Sequence, residues 1–246
     1  MKAVVLGGTN GQGRAVSRLL AERGDSVFVL GRDAEEAEKS AADLAARHPK
    51  KKNGGSAKLD LEQPDDFVKA LDKADEALGG FDTVIVTAAM FATQDQLEAD
   101  PELVRRLTTV NYAHTVVFCE HVRRRLLERG GGTLAVFSSV AGDRGRKPIV
   151  IYGSTKAALS AYLEGLDHKF HAQGLHVLTV KPGFVKTGMT AGLKPPPFAG
   201  EPEQVARDVV RAIDKKRTVL YTPFMWRWVM LVIRSLPRFV MRKIGF

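Results

Sequence analysis

The chain has 246 residues, of which 44% are hydrophobic, and it carries a formal net charge of +9. This length suits one α/β domain with a substantial core, and no low-complexity linker divides it. The single cysteine, Cys119, excludes an intramolecular disulfide, and the six scattered histidines give no sign of a metal site.

A glycine-rich turn follows the first predicted strand, residues 3–6. After the turn, apolar residues recur at helical spacing over residues 15–20, so it joins a buried strand to an amphipathic helix. Glycines let a backbone approach phosphates, and the helix start offers unpaired amide hydrogens. The turn therefore predicts a dinucleotide pyrophosphate site; the alternative is a tight turn without a ligand. The residues expected to bind are Gly7, Thr9, Asn10, Gly11, Gln12 and Gly13.

The second predicted strand, residues 26–30, leads into Gly31, Arg32 and Asp33, where the adenosine ribose of a dinucleotide would lie. An acidic residue at this strand end would bind the ribose diol, whereas an arginine accommodates a 2′-phosphate. Because Arg32 follows a glycine here, the sequence favours NADPH over NADH. The alternative is that Arg32 faces solvent and Asp33 reaches the diol.

Strand and helix patterns alternate along the rest of the chain, which predicts an α/β fold with a Rossmann-type, doubly wound parallel sheet. Further strands are expected at residues 57–60, 83–87, 132–138, 176–181 and 219–221, an exposed loop at 49–55, and a long helix at 101–129. The predicted domain covers residues 1–221, and a carboxyl-terminal tail covers residues 222–246.

Ser139, Tyr152 and Lys156 form a candidate catalytic group. Tyr152 and Lys156 stand four residues apart in a predicted helix, so their side chains can point into one cleft. A nearby ammonium favours phenolate, and we expect Lys156 to lower the pKa of Tyr152 towards the working range of a general acid. Ser139 would add a second hydrogen bond to the substrate oxygen. The alternative is a solvated helix face, since the Tyr-x-x-x-Lys spacing alone is common.

With these motifs the chain resembles the classical short-chain dehydrogenases/reductases over nearly its whole length. The resemblance implies that Asp60 and Leu61 lie at the adenine and that Asn111 completes a catalytic tetrad by holding a water in a proton relay. Residues 87–90 read Thr-Ala-Ala-Met instead of the usual Asn-Asn-Ala-Gly, so cofactor contacts near Ala88 rely on backbone and small side chains. The residues implied at the nicotinamide and its ribose are Tyr152, Lys156, Pro182, Gly183, Val185 and Thr187.

The chain ending, together with the motifs around residues 110–112, 138–144 and 152–157, also resembles the reductases of decaprenylphosphoryl-2-keto-ribose. That resemblance implies reduction of a lipid-linked keto-sugar, with hydride from the nicotinamide and a proton from Tyr152. A lid is expected at residues 186–202, whose apolar residues favour a hydrophobic carbonyl substrate. Two alternatives stay open. One is a reductase of a free steroid, polyketide or acyl ketone, and the other is a non-catalytic dinucleotide-sensing protein.

The sequence pattern of the tail predicts a basic amphipathic helix. Residues 215–246 contain eight basic residues and no acidic one, and Pro237 should interrupt the helix. The pattern suits a membrane surface, although packing over the substrate cleft or on another subunit would give the same amphipathicity. Nucleic acid is not expected, because the basic residues are mixed with aliphatic ones. The arginines at helical spacing are Arg227, Arg234, Arg238 and Arg242.

The first predicted strand begins almost at Met1, without a preceding secretory pattern, so the expected location is the cytoplasm. If the tail binds lipid, that location becomes the inner face of the membrane. The apolar run at residues 228–233 is too short to span a bilayer. The family resemblance also implies a homo-oligomer, formed through the helices around residues 101–129 and 152–173.

Overall fold

A seven-stranded parallel sheet forms the centre of the protein. The computed structural model describes residues 1–47 and 54–245. The strands are β1 (Lys2–Leu6), β2 (Ser26–Gly31), β3 (Gly55–Lys58), β4 (Thr83–Val86), β5 (Gly132–Phe137), β6 (Leu175–Pro182) and β7 (Val219–Thr222). Their spatial order is β3-β2-β1-β4-β5-β6-β7, with all neighbours parallel.

Helices cover both faces of this sheet, which confirms the predicted doubly wound α/β fold. The helices are α1 (Gly11–Arg23), α2 (Ala34–Arg47), α3 (Phe67–Leu78), α4 (Gln94–Ala99), α5 (Pro101–Thr108), α6 (Thr115–Glu128), α7 (Val150–Phe170), α8 (Pro202–Asp214), α9 (Met225–Ser235) and α10 (Arg238–Lys243). In β1, Leu6 enters the core that contains Phe118 of α6, and Val5 enters the opposite core with Leu20 of α1. Because both faces are buried, the central strands β1, β2 and β4 consist mainly of apolar residues.

The strand order reverses at β1, which pairs with β2 on one side and with β4 on the other. At such a reversal, the connections leave in opposite directions and a crevice opens at the carboxyl ends of the strands. The glycine-rich turn, residues 7–13, follows β1 at this edge. The topology therefore places the predicted pyrophosphate site at the crevice.

The long helix predicted at residues 101–129 is wrong as a single α-helix. A π-helical segment, Thr109–His114, separates α5 from α6. Within this widened turn, Thr115 Oγ1 donates to the Val110 carbonyl at 2.7 Å. Turns of this kind are rare and occur often at functional sites, and this one contains Asn111.

The predicted strands agree with the observed ones to within two residues at each end. The largest shift is in β3, which begins at Gly55 because this residue pairs with Phe28 of β2. Of the loop predicted at residues 49–55, residues 49–53 lie outside the described residues, Gly54 is buried and Gly55 belongs to β3. The exposed loop is therefore wrong for its last two residues.

The tail folds into α9 and α10, which are separated at Pro237 as predicted. On α9, Met230 and Ile233 pack with Val140 in a small third core, so this helix is attached to the body of the domain. Within the described ranges, no helix combines the length and the apolar character needed to cross a bilayer.

Candidate active site

A cavity of about 340 Å³ opens at the carboxyl ends of β1, β2 and β4. It brings together most of the residues predicted to bind the dinucleotide, including those that the family resemblance placed at the adenine. The predicted residues that line this dinucleotide cavity are Gly7, Thr9, Asn10, Gly11, Gln12, Gly13, Arg32, Asp60, Leu61, Ala88 and Thr187.

The glycine-rich turn has no room for side chains at two positions. Gly7 has a φ of +86°, and a Cβ there would lie 2.8 Å from the amide nitrogen of Ala88. A Cβ on Gly13 would lie 2.2 Å from the carbonyl oxygen of Gly7. Asn10 caps α1 by accepting a hydrogen bond from the Gly11 amide at 2.7 Å. The turn therefore lies close against the segment after β4 and presents the start of α1 to the cavity.

The dinucleotide cavity offers unsatisfied polar groups to a ligand. The Gln12 Oε1 atom is buried without a hydrogen-bond partner, which is costly unless a bound molecule supplies a donor. Arg32 is exposed at the cavity edge, and Asp33 Oδ1 accepts from the Glu36 amide at 3.1 Å at the start of α2. A dinucleotide fits this donor and acceptor set.

A second cavity of about 550 Å³ continues from the first and is lined mainly by apolar residues. We call it the substrate pocket. Ser139, Tyr152 and Lys156 all lie in its wall, so the structure brings together these three predicted catalytic residues. Gln12 and Thr187 line both cavities. A ligand in the first cavity can therefore reach a ligand in the second.

The ends of two elements position the predicted catalytic side chains. Ser139 follows β5 and caps a short 3₁₀ turn, with its Oγ accepting from the Ala141 amide at 3.0 Å. Tyr152 and Lys156 lie in the first turns of α7, and the Tyr152 ring packs edge-on against Phe91 at 5.2 Å between centroids.

Burial shifts the pKa values of both Tyr152 and Lys156. Lys156 is 2% exposed, its Nζ donates to the Phe137 carbonyl at 2.9 Å, and burial lowers its pKa to about 8. Burial raises the pKa of Tyr152 to about 12, and a hydrogen bond with Ser139 opposes this rise. The expected lowering of the Tyr152 pKa by Lys156 is thus wrong. The Lys156 ammonium lies 5.7 Å from the ring centroid and donates to the Phe137 carbonyl, and the loss of hydration on burial determines the direction of the shift.

Asn111, the fourth predicted catalytic residue, is engaged with the backbone beside the site. It is 1% exposed; its Oδ1 accepts from the Met90 amide at 2.7 Å, and its Nδ2 donates to the Met90 carbonyl at 2.8 Å. Asn111 does not line the substrate pocket within the described ranges, whereas Ser139, Tyr152 and Lys156 do. Its side chain therefore fixes the segment after β4.

The segment after β6 forms another wall of the substrate pocket. The predicted nicotinamide-binding residues Pro182, Gly183, Val185 and Thr187 all line it. The predicted lid, residues 186–202, closes the same side. The lid residues that line the pocket are Thr187, Met189, Thr190, Leu193, Pro196, Pro197 and Phe198.

Helix α9 covers the substrate pocket, with Trp226, Val229 and Ile233 in its wall. Trp226 Nε1 donates to the carbonyl of Phe198 in the lid at 3.2 Å. Trp226, Val229 and Ile233 belong to the apolar side of the amphipathic tail predicted from the sequence, for which covering of the cleft was one of the alternatives. Sequence reasoning missed Arg146, which lines the pocket and had no distinguishing sequence pattern.

Comparisons with known proteins agree with this geometry. Residues 1–197 match the family described as short chain dehydrogenase. An uncharacterized oxidoreductase of Mycobacterium tuberculosis is 31% identical over 244 residues, covering 98% of this chain and 95% of the relative. Carbonyl reductase family member 4 of Xenopus tropicalis is 29% identical, covering 85% of this chain and 89% of that protein.

Solved structures show the same fold. A short-chain type dehydrogenase/reductase from Mycobacterium ulcerans aligns with a TM-score of 0.81 and 22% identity, covering 98% of this chain and 97% of that one. Levodione reductase aligns with a TM-score of 0.80 and 20% identity, covering 89% of this chain and 95% of the reductase chain. With its family match, its crevice and its clustered Ser139, Tyr152 and Lys156, the chain belongs to the short-chain dehydrogenase/reductase family of NAD(P)-dependent oxidoreductases that act on CH–OH and C=O groups.

Proposed function

We propose that the protein reduces a ketone to a secondary alcohol with NADPH, and that the ketone is part of a lipid-linked keto-sugar such as a polyprenylphosphoryl-2-keto-ribose. One observation carries the reduction: Ser139, Tyr152 and Lys156 lie in the wall of an apolar pocket that is continuous with the dinucleotide cavity. The substrate carbonyl and a nicotinamide can therefore occupy adjoining spaces.

The side chains divide the work of the reduction. The hydride comes from the reduced nicotinamide. Tyr152 holds a proton on its phenol, since burial raises its pKa to about 12, and donates it to the alkoxide oxygen that develops. Ser139 Oγ donates a hydrogen bond to the same oxygen. Lys156 places a cation beside the phenol and stabilises the phenolate that remains after proton transfer.

The preference for NADPH rests on Arg32. Its guanidinium lines the dinucleotide cavity where the ribose 2′ position would lie, and no hydrogen bond or ion pair to a described residue occupies it within 4 Å. Asp33, the alternative ribose ligand, uses one carboxylate oxygen at the start of α2 and does not line the cavity within the described ranges.

The lipid-linked character of the substrate is supported by the outer face of the tail. Large apolar side chains lie on this face beside exposed basic residues, an arrangement that suits the interface of an anionic bilayer. The exposed apolar residues are Phe224, Trp228, Leu231, Val232 and Phe239. The exposed basic residues beside them are Arg227, Arg234, Arg238, Arg242 and Lys243. Because α9 also covers the substrate pocket, a bilayer on its outer face would lie next to the pocket wall.

A free hydrophobic ketone is the second candidate substrate. The substrate pocket is walled by Phe91, Val140, Pro196 and Phe198, and such apolar walls accommodate an acyl or cyclic ketone without a lipid carrier. One relative carries the name carbonyl reductase family member 4.

The test is NADPH oxidation by the purified protein with a polyprenylphosphoryl keto-sugar or with 2-decanone, each with and without anionic vesicles. We expect Tyr152→Phe to lower kcat by about 10²- to 10⁴-fold and to change NADPH binding less than about threefold. Tyr162→Phe is the matched control, because that hydroxyl donates to Glu120, 2.8 Å away, outside the pocket. Full activity of Tyr152→Phe would refute the mechanism. Turnover of 2-decanone but not of the keto-sugar would show that the substrate is a free ketone.

A further inference from the structure

The substrate pocket contains one cation that the reduction does not use. Arg146 lies between two short 3₁₀ turns, Val140–Gly142 and Lys147–Ile149, and its side chain is half-buried in the pocket wall. Its Nε atom is shielded from solvent and has no hydrogen-bond partner among the described residues. Burial lowers the pKa of Arg146 from its ordinary value, although the guanidinium stays charged at neutral pH.

The charged neighbours of Arg146 in the chain already have partners. Asp143 is the nearest acidic candidate, but its Oδ1 accepts from Lys181 Nζ at 2.6 Å and its Oδ2 from the Tyr221 hydroxyl at 2.7 Å. Arg144 donates to the backbone carbonyl of Leu236 at 2.9 Å. Each carboxylate oxygen of Asp143 therefore has a close partner other than Arg146, on which Asp143 acts through its charge without a hydrogen bond to the buried Nε atom. Arg146 is left facing the pocket.

Lys147, the next residue, points away from the pocket and donates to the carbonyl of Arg242 at 2.6 Å. The pocket itself offers Arg146 no counter-charge. Among the described residues that line it, the other ionised side chain at neutral pH is Lys156, which is also a cation, and none is a carboxylate. A buried charge and a buried donor without partners both cost free energy. A bound molecule that brings an anion into the pocket would remove both costs.

We propose that Arg146 binds a phosphate or carboxylate group of the substrate, so that the preferred ketones are amphiphiles with an anionic group attached to an apolar body. This inference rests on the proposed function, because it names the substrate class of the same pocket. The planar guanidinium can hold two oxygens of such a group at once, which a lysine cannot. The apolar walls around Phe91 and Phe198 would hold the rest of the molecule.

Binding can be measured without turnover, because Trp226 lies in the pocket wall and Trp228 is the other of the two tryptophans. In a Trp228→Phe background, the fluorescence of Trp226 reports ligands in the pocket. We expect geranyl phosphate and geranic acid to bind at least about tenfold more tightly than geraniol, the gain of one charge-assisted hydrogen bond or more. Comparing the phosphate with the carboxylate shows which anion the site prefers.

Arg146→Gln should abolish this difference by weakening only the two anions, and Arg146→Lys should restore part of it. Lys147→Gln removes the same charge one residue away and should leave the difference intact. Equal affinity for all three ligands in the Trp228→Phe protein would overturn the inference. So would an equal loss of affinity in Arg146→Gln and Lys147→Gln, because a general field effect would then explain it.

Turnover separates this inference from the proposed function. With 9-oxodecanoic acid and 2-decanone as paired substrates, Arg146→Gln should raise KM at least about tenfold for the acid alone, with little change in kcat. If neither these two ketones nor the polyprenylphosphoryl keto-sugar is reduced while the difference in binding persists, the proposed reduction fails and the anion site stands. If both are reduced with unchanged KM values in Arg146→Gln, the anion site fails and the reductase stands.

Discussion

Gly183 lies against the indole of Trp226, and this contact joins the predicted nicotinamide segment to the helix that covers the pocket. A Cβ on Gly183 would lie 2.1 Å from Trp226 Nε1 and 2.3 Å from Cδ1 and Cε2 of the same ring. All three distances are far inside van der Waals contact. Gly183→Ala must therefore displace the indole and break its 3.2 Å hydrogen bond to the Phe198 carbonyl.

We expect Gly183→Ala to lower the free energy of unfolding by about 1–3 kcal/mol, the usual cost of overpacking. For a chain of this size, each kcal/mol lowers Tm by about 2–4 °C. In a Trp226→Ala background the obstruction is gone, and the same substitution should cost less than about 0.5 kcal/mol. The coupling energy between the two positions should thus be about 0.5 kcal/mol or more.

Urea unfolding of the wild type, both single variants and the double variant measures this coupling. Gly145→Ala is the matched control, because nothing lies within 4 Å of a Cβ at that position. An equal cost of Gly183→Ala with and without Trp226 would refute the reasoning. It would mean that the indole does not restrict residue 183 in solution.

Three further predictions concern the cofactor, the pH profile and the tail. Arg32→Ala should lower kcat/KM for NADPH about 10- to 100-fold and leave kcat/KM for NADH within about threefold of the wild-type value, both measured by initial rates. Equal losses for the two cofactors would exclude a 2′-phosphate contact. Since burial lowers the pKa of Lys156 to about 8, its cation is lost as pH rises through that value, and kcat/KM should fall above it; a profile flat to pH 10 would contradict this role. Leu231→Asp should reduce co-sedimentation with anionic vesicles at least about tenfold, whereas Val68→Asp, at an exposed residue of α3, should not; equal effects would argue against a bilayer on the tail.

The fold and the geometry of the glycine-rich turn were predictable because their signals are local. Strands buried on both faces are mainly apolar, as in β1, and the glycine spacing over residues 7–13 indicates a tight turn into the first helix. The four-residue spacing of Tyr152 and Lys156 likewise placed both in one cleft, since helix geometry alone determines that.

The remaining features depend on contacts between distant segments. Nothing near Arg146 in the chain shows that its neighbours find partners elsewhere while its own guanidinium stays in the pocket. The raised pKa of Tyr152 follows from burial, and the spacing between Tyr152 and Lys156 in the sequence carries no information about burial. The π segment was missed because one widened turn changes the apolar periodicity of a long helix very little.

The π segment, Thr109–His114, makes the geometry of the candidate site depend on the number of residues in the helix. Its turns close i to i+5 instead of i to i+4, so the helix holds an extra residue at this point. Deleting one residue here, such as Tyr112, which is 38% exposed, would allow regular α-helical bonding from α5 into α6. The residues before the deletion would then rotate by about 100° relative to those after it, and Asn111 would leave Met90. A shorter and more regular helix would thus release the segment after β4, which lines the dinucleotide cavity at Met90. This position is therefore sensitive to insertions and deletions that other surface helices tolerate.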